Sequence, residues 1–178
     1  MSDAGLKTRR KLHPLPILSN LDALSALAAA TARRPGLMAL DVSKRAIGMA
    51  GADASWQLAT ALTTLRRKGW AADVAALKQA LDERDARVLV IGWPLNMDGS
   101  EGPRCQAIRQ FARDLDRELG LPILLWDERL TTFAAEETAD QAGLRGKKRA
   151  DRLDALAAAA ILQDALDVLA RRARQGEG

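Results

Sequence analysis

Acidic residues that follow apolar segments are the side chains of this sequence best suited to chemistry. Asp41 ends one apolar run, the pair Asp127-Glu128 ends another, and Asp154 lies among alanines in a segment with helical spacing. Because side chains alternate along a strand, only one of the pair can point to the same side as a given site. Asp151, one helical turn before Asp154, shares its face. A carboxylate beside apolar neighbours is costly to ionise unless a cation compensates its charge.

Clustered carboxylates of this kind are typical ligands of a hard divalent cation. Each would raise the pKa of its neighbours, and Mg²⁺ or Mn²⁺ would remove that repulsion. Two such ions about 3.5–4 Å apart can activate a water and stabilise the leaving oxygen of a phosphodiester. That chemistry needs neither histidine nor cysteine, and the chain has one of each, His13 and Cys105. The composition therefore excludes a zinc site and a Ser-His-Asp or Cys-His centre within the domain.

Each acid also has a structural interpretation that the pattern leaves open. Asp41 can belong to a turn before Ser43, and Asp151 can be an acid at a helix N-terminus, where the dipole favours it. Glu128 and Asp154 can each form a buried salt bridge with a nearby arginine.

Basic residues near these acids are candidates for phosphate contacts. The cluster Arg145, Lys147, Lys148 and Arg149 directly precedes the helical acids, although a run of this kind is usually a solvated loop. The triplet Arg66-Arg67-Lys68 has no such acidic neighbour along the chain, and we interpret it as surface.

The charge of the chain is concentrated at its beginning. The whole sequence has 27 basic and 23 acidic residues, a net charge of +4. Residues 1–36 hold six Lys or Arg against two Asp, which leaves 21 of each sign in the remaining 142 residues. Any nucleic-acid footprint of the folded part must therefore be local.

The apolar pattern predicts the elements that position the acids. Two short runs, Leu37–Leu40 and Ile47–Ala50, predict a hairpin, and Gln57–Leu65 predicts a third strand. Helices and strands then alternate, which indicates an α/β fold with a mixed sheet. The predicted elements are helix 71–81, strand 87–93, helix 105–119, strand 123–126, helix 132–142 and a final helix 151–172.

A length of 178 residues fits one domain. We expect a basic arm with a short helix capped by Asn20 over residues 1–36, a domain over 37–173 and a tail over 174–178. No apolar run reaches the ~18 residues of a membrane span. A single cysteine suits a reducing cytosol, so we expect a cytoplasmic protein, a monomer or weak dimer without a membrane partner.

Three motifs resemble those of one known family. GWPLNMDGSEGPR (Gly92–Arg104) is similar to the loop G-x-P-x-N-x-D-G-x-x-G-P-R, and WDERLTT (Trp126–Thr132) is similar to DERLTT or DERLST. LDALAAAAIL (Leu153–Leu162) is similar to the helix V-D-x-x-A-A-x-x-I-L. On these motifs the chain, from about Leu37 to Val168, resembles the pre-16S rRNA nuclease family, also called YqgF or Holliday-junction resolvase-like.

The resemblance implies a ribonuclease H-like fold, α/β with a mixed five-stranded sheet flanked by helices, and metal-dependent nuclease chemistry with Mg²⁺ or Mn²⁺. It implies that Asp41, Glu128 and Asp154 are the catalytic and metal-binding acids, with Asp127 and Asp151 as less favoured ligands. The residues expected to contact nucleic acid or order the site beside it are Lys44, Arg45, Asn96, Asp98, Arg129, Lys147, Lys148 and Arg149.

The chain departs from the family pattern at two strand ends. It reads DVSKRAIG where the family reads D-V-G-T-K-R-I-G. Ser43 would strain the turn if the glycine needs a positive φ, or obstruct it if the glycine allows a close approach of the backbone to substrate. In related junction resolvases an acid ends the strand that corresponds to Arg87–Trp93. Here that strand ends in Trp93-Pro94, and the middle ligand would come from Glu128 instead.

Three functions follow from these motifs. The first is a nuclease that processes the 5′ end of pre-16S rRNA in ribosome biogenesis, with RNA or a pre-ribosomal particle as partner. The second is a resolvase of Holliday junctions or other branched DNA. The third is a nucleic-acid or ribosome-binding protein of weak catalytic activity. Ser43 is the feature of the sequence that supports this third function.

Overall fold

A computed structural model of the chain describes residues 34–130 and 146–176. Residues 1–33 of the predicted arm, the helix predicted over 132–142 and Arg145 lie outside these residues, as does most of the helix that Asn20 would cap. Of the residues assigned to the arm, Gly36 belongs to the first strand.

A mixed sheet of five strands forms the centre of the described structure. The strands are β1 (Gly36–Val42), β2 (Ala46–Ala52), β3 (Ala59–Arg66), β4 (Ala86–Trp93) and β5 (Ile123–Asp127). Their order is β3-β2-β1-β4-β5, with the first three antiparallel along the chain and β1, β4 and β5 parallel. The predicted hairpin, third strand and mixed α/β sheet are therefore confirmed.

Helices cover both faces of the sheet. These are α1 (Trp70–Glu83), α2 (Pro103–Leu119) and α3 (Gly146–Gly176), and a 3₁₀ turn (Glu128–Leu130) follows β5. The core beside α1 and α2 contains Met38 and Leu40, whereas the core beside α3 contains Leu37 and Ala39. Because side chains alternate along β1, Asp41 points to the α3 face.

The final helix is longer than the sequence pattern predicts. It begins at Gly146 rather than near Asp151, so Lys147–Arg149 form its first turn and not a loop. Lysine, arginine and alanine are good helix formers, and no proline interrupts the segment. At the other end the helix continues to Gly176, into the residues predicted as a tail. None of the described helices, α3 included, combines the length and apolar character that a membrane crossing requires.

Candidate active site

Asp41 lies in a row of residues that crosses the sheet on its α3 face. The antiparallel register pairs Asp41 with Gly48 of β2, and Gly48 with Thr64 of β3. On the other side, the parallel register pairs Leu40 with Ile91 of β4, so that Gly92 is the residue that follows on the strand next to Asp41. Asp41 is therefore flanked on both neighbouring strands by a residue without a side chain.

Gly48 allows the backbone of α3 to lie directly on the sheet. A Cβ atom built at Gly48 would overlap the carbonyl group of Asp154 and lie 2.9 Å from the Ala155 nitrogen. In the same row, the Thr64 hydroxyl donates a hydrogen bond to the carbonyl oxygen of Asp151. The helix is thus held where Asp154 comes beside Asp41.

Gly92 provides the space for Glu128 in the same way. A Cβ atom there would overlap Glu128 Oε1 and lie 2.6 Å from Ile161 Cδ1 of α3. Asp127 is instead paired with Arg129. Its carboxylate accepts hydrogen bonds from Arg129, at 3.0 Å from Nε to Oδ1 and 2.6 Å from Nη2 to Oδ2. Of the acidic pair, the structure places Glu128 on the side of Asp41.

The pKa values show that these carboxyl groups are coupled. Burial, followed by the charge of Asp154, raises the pKa of Asp41 to about 6 against an opposing effect of Arg104. Burial, followed by the charge of Asp41, raises the pKa of Glu128 to about 7, and Arg104 again opposes the rise. Three acids from three parts of the chain therefore share one partly desolvated region.

Arg66 is a site residue that the sequence interpretation missed. It forms an ion pair with Asp151. Burial raises the pKa of Asp154, the charge of Arg66 opposes this rise, and the charge of Asp151 adds to it. Arg66 ends the edge strand β3 and pairs with Ala46 across the register, next to the turn that follows Asp41. Lys68 is exposed as expected, but Arg66 has acidic neighbours, because pairing along a sheet brings together residues that are distant in sequence.

The helix-end interpretation of Asp151 is also wrong. Since α3 begins at Gly146, Asp151 lies in its second turn and its partner is Arg66 rather than the helix dipole.

Arg104 is the second cation that the sequence analysis left out of the site. It is exposed in the first turn of α2, and its charge lowers the pKa of both Asp41 and Glu128. It is the final residue of the loop motif Gly92–Arg104, and this position in the motif could have indicated that Arg104 belongs to the site.

Ser43 and the two cations after it occupy the β1–β2 turn. The Ser43 hydroxyl accepts hydrogen bonds from the backbone nitrogens of Arg45 at 3.3 Å and Ala46 at 3.0 Å. Among the described residues, the non-glycine positions with positive φ are Trp56 and Asp85. Ser43 therefore does not strain the turn, contrary to the expectation, and it leaves Lys44 and Arg45 exposed beside Asp41.

Arg129 binds the loop between β4 and α2. The sequence motif had suggested this arginine only as a phosphate contact. Besides binding Asp127, its Nη1 donates to the carbonyl oxygens of Asn96 and Met97, both at 3.3 Å. The Asp98 carboxylate accepts a hydrogen bond from the Ser100 nitrogen at 2.9 Å. Asn96, Asp98 and Arg129 thus order this loop beside the site.

The carboxyl groups suit a metal that keeps part of its water shell. Within residues 34–130 and 146–176, no three acidic, histidine or cysteine side chains are grouped closely enough to enclose an ion by themselves. Mg²⁺ commonly binds through one or two carboxylates together with waters and substrate phosphates. One or two of the carboxylates Asp41, Glu128 and Asp154, together with waters and substrate phosphates, would suit such an ion, which would reduce the repulsion that Asp41 has with Asp154 and with Glu128.

The raised pKa values predict how the metal-free protein responds to pH. A carboxyl group with a higher pKa in the folded than in the unfolded state stabilises the fold at low pH and loses that contribution as pH rises. In EDTA, we expect the free energy of unfolding to fall by on the order of 2 kcal/mol between about pH 4 and pH 7. Urea titrations across this range measure it. The Asp41→Asn variant should show a flatter profile, and equal slopes would contradict the assignment.

The fold and the carboxylate row define a protein of the ribonuclease H-like class, as the motifs predict. Residues 36–168 match the RuvX family, described as Holliday junction resolvase, and the chain belongs to this family.

Curated relatives are similar over most of their length. A protein of Novosphingobium aromaticivorans is 51% identical over 141 residues, covering 79% of this chain and 90% of its own. One of Rhodobacter capsulatus is 47% identical over 147 residues, covering 83% and 92%. Both are named "Putative pre-16S rRNA nuclease". Among solved structures, Thermus thermophilus RuvC in complex with a Holliday junction substrate is 14% identical, with a TM-score of 0.46 over 78% of this chain and 96% of that one.

Proposed function

We propose that this protein is a cytoplasmic nuclease, dependent on Mg²⁺ or Mn²⁺, that processes the 5′ end of pre-16S rRNA. Membership of the RuvX family supports a hydrolase that acts on nucleic acid. The observation that carries the proposal is the row Gly48–Asp41–Gly92, over which Asp154 and Glu128 converge. A group of coupled carboxylates with exposed cations around it is suited to hydrolysis of a phosphodiester.

Asp41 and Asp154 would hold the metal, and Glu128 would complete the site. A bound divalent ion supplies a site at which water ionises more readily and at which charge on the phosphate oxygens is neutralised. The protein contributes the placement of the donors, because Asp41 is on a buried strand and Asp154 is on a helix that the Gly48 contact fixes. Rigid donors cost little free energy to organise when substrate binds.

We infer that Glu128 positions the attacking water and acts as the general base. In the protein without metal, burial and then the charge of Asp41 raise the pKa of Glu128 to about 7, and a bound cation would lower it. The proton of the attacking water would pass to Glu128 Oε1, the oxygen that lies over Gly92. Arg104 limits the rise of this pKa and so keeps a useful fraction of Glu128 ionised.

Cations on two sides of the acids are placed to contact phosphates. Lys44 and Arg45 are exposed on the β1–β2 turn, and Lys147 and Lys148 are exposed in the first turn of α3. Lysines at a helix N-terminus are unfavourable with respect to the helix dipole, and a bound phosphate would offset both positive charges. Lys147 lies about 10 Å along the axis from Asp154, at 1.5 Å per residue.

The choice of RNA is supported by the names of the relatives, and branched DNA by the description of the family. These two substrates separate in one experiment. The purified protein is incubated in Mn²⁺ with a 5′-extended 16S precursor RNA and with a four-way DNA junction, each with an EDTA control. We expect metal-dependent cleavage of the RNA and at least about 10-fold slower cleavage of the junction, the discrimination that ~1.4 kcal/mol provides.

Faster cleavage of the junction would contradict the RNA assignment and favour the resolvase. Binding of the RNA without cleavage in any divalent metal would contradict the nuclease and favour the binding protein. The unstrained turn at Ser43 removes backbone strain as a reason for that last alternative, and obstruction of a close approach to substrate is left as the other.

A further inference from the structure

Met97 projects into solvent from the loop between β4 and α2. Its side chain is 91% exposed, and the other large apolar residue that is exposed among the described residues is Leu58, at 59%. A single exposed apolar side chain is ordinary in a protein surface. Met97 is distinguished by the ordered loop that holds it there and by the position of that loop.

The turn that carries Met97 is fixed by hydrogen bonds within the loop. The Gly99 nitrogen donates to the Asn96 carbonyl at 2.8 Å, and the Asn96 nitrogen donates to the Ser100 carbonyl at 2.9 Å. Gly99 has a φ of +84°, which a glycine adopts without strain. Met97 therefore sits at the tip of a closed turn, so that little backbone entropy is lost when it contacts a ligand.

The same turn is attached to the candidate active site. Arg129, the residue after Glu128, donates to the Met97 carbonyl oxygen at 3.3 Å. At the far end of the loop, Gly102 lies against Asn96 and leads through Pro103 into Arg104. The two attachment points of the loop are thus neighbours of the general base and of the cation that tunes it.

The charges around Met97 favour a base over a phosphate. Hydrogen bonds from Ser100 lower the pKa of the adjacent Asp98, which keeps this carboxylate ionised. The Asp98 carboxylate at the tip of the loop repels phosphate, and the charge of the neighbouring Arg129 is already paired with Asp127. The exposed Lys44 and Arg45, by contrast, lie on the turn beside Asp41. A substrate whose phosphates follow the cations would present its bases toward the loop. Methionine is among the side chains that pack on bases or insert between them, and its thioether makes favourable contacts with aromatic rings.

We propose that Met97 packs against a base of the nucleic-acid substrate beside the cleaved phosphodiester and unstacks it from its neighbour. Met97 is then a positioning residue that decides which base step enters the site. This inference rests on the proposed nuclease function and adds to it a contact with a base.

Binding to RNA that contains 2-aminopurine tests this contact without cleavage. A set of RNAs tiled along the 5′ leader of the 16S precursor carries one 2-aminopurine each, and fluorescence is measured in EDTA with the unaltered protein. We expect one position, or two adjacent ones, to brighten on binding because the base leaves its stack. Met97→Ala should abolish this brightening and weaken binding about 5- to 10-fold, the effect of losing one base contact.

Two further variants make the test specific. Met97→Phe should retain the brightening, since an aromatic ring also packs on a base, and Leu58→Ala should change neither fluorescence nor affinity. The salt dependence of binding should be the same for Met97→Ala as for the parent, because no phosphate contact is lost. Brightening that persists in Met97→Ala, an affinity within twofold of the parent, or an altered salt slope would each overturn the inference.

Failure of the nuclease function is visible separately. The parent protein would then cleave no precursor RNA in Mn²⁺, whatever the fluorescence of the tiled RNAs shows.

Discussion

Gly48→Ala is expected to cost about 3 kcal/mol of stability or more and to lower cleavage at least about 100-fold. The new Cβ would overlap the carbonyl group of Asp154, and the contact is between two backbones. Neither side can yield by a change of rotamer, so α3 must move away from the sheet. That displacement separates Asp154 from Asp41 and opens the core beside α3.

Gly51→Ala is the matched control on the same strand. A Cβ atom there would lie 3.5 Å from Leu62 Cδ1, an ordinary packing distance. We expect its stability to remain within about 1 kcal/mol of the parent and its cleavage to be unchanged. Urea unfolding and cleavage rates for both variants measure the difference. Equal effects of the two substitutions would show that the close approach at Gly48 is not what positions Asp154.

Asp41→Asn is expected to separate activity from stability. Cleavage should fall at least about 100-fold, because the amide removes a charged ligand between Glu128 and Asp154. In EDTA at pH 8, the free energy of unfolding should rise by about 1–2 kcal/mol, because a partly buried charge and its repulsion of Asp154 are removed. Many active sites are destabilising in this sense, since function requires like charges to be held together.

Asp53→Asn is the control for the chemical change. Asp53 lies in the β2–β3 turn, where its carboxylate accepts hydrogen bonds from the Gln57 and Leu58 nitrogens at 2.7 and 2.8 Å. Hydrogen bonds lower the pKa of Asp53 to about 2, and the bond from the Leu58 nitrogen has the largest effect. We expect this variant to be less stable than the parent and to cleave normally. An Asp41→Asn protein that unfolds more easily and still cleaves would reverse both expectations and contradict the account.

The sequence is sufficient to predict the strands and helices within the described residues because their apolar periodicity is regular. Asp41, Asp154 and the pair Asp127-Glu128 follow from their positions at the ends or on the faces of apolar segments, and the choice of Glu128 within the pair came from the family resemblance. Their coupling also follows, since like charges in a shared, partly desolvated region raise one another's pKa.

The role of the two glycines that flank Asp41 could not be predicted from the chain. Gly48 and Gly92 are needed because a helix backbone and a glutamate approach the sheet there, and these approaches depend on tertiary packing. The partner of Asp151 was missed for the same reason, because Arg66 reaches it through the pairing of β3 with β2.

Arg129 shows a different limit of sequence analysis. An arginine next to a candidate catalytic acid suggests a phosphate contact. The donors of Arg129 instead bind the Asp127 carboxylate and the carbonyl groups of Asn96 and Met97. Its planar group of five donors suits such a clamp as well as it suits a phosphate. The choice between them depends on where the β4–α2 loop lies.

Binding of Mn²⁺ to the protein without nucleic acid tests whether Asp41, Glu128 and Asp154 form one divalent-metal site. Isothermal titration at pH 8 should show binding that is weakened at least about 10-fold in Asp41→Asn, Glu128→Gln and Asp154→Asn but retained in Asp53→Asn. Because Asp41 and Glu128 hold protons near pH 6, binding at that pH should also release protons to the buffer. Mn²⁺ affinity and proton release that are the same in the three acidic variants as in the parent would contradict the account.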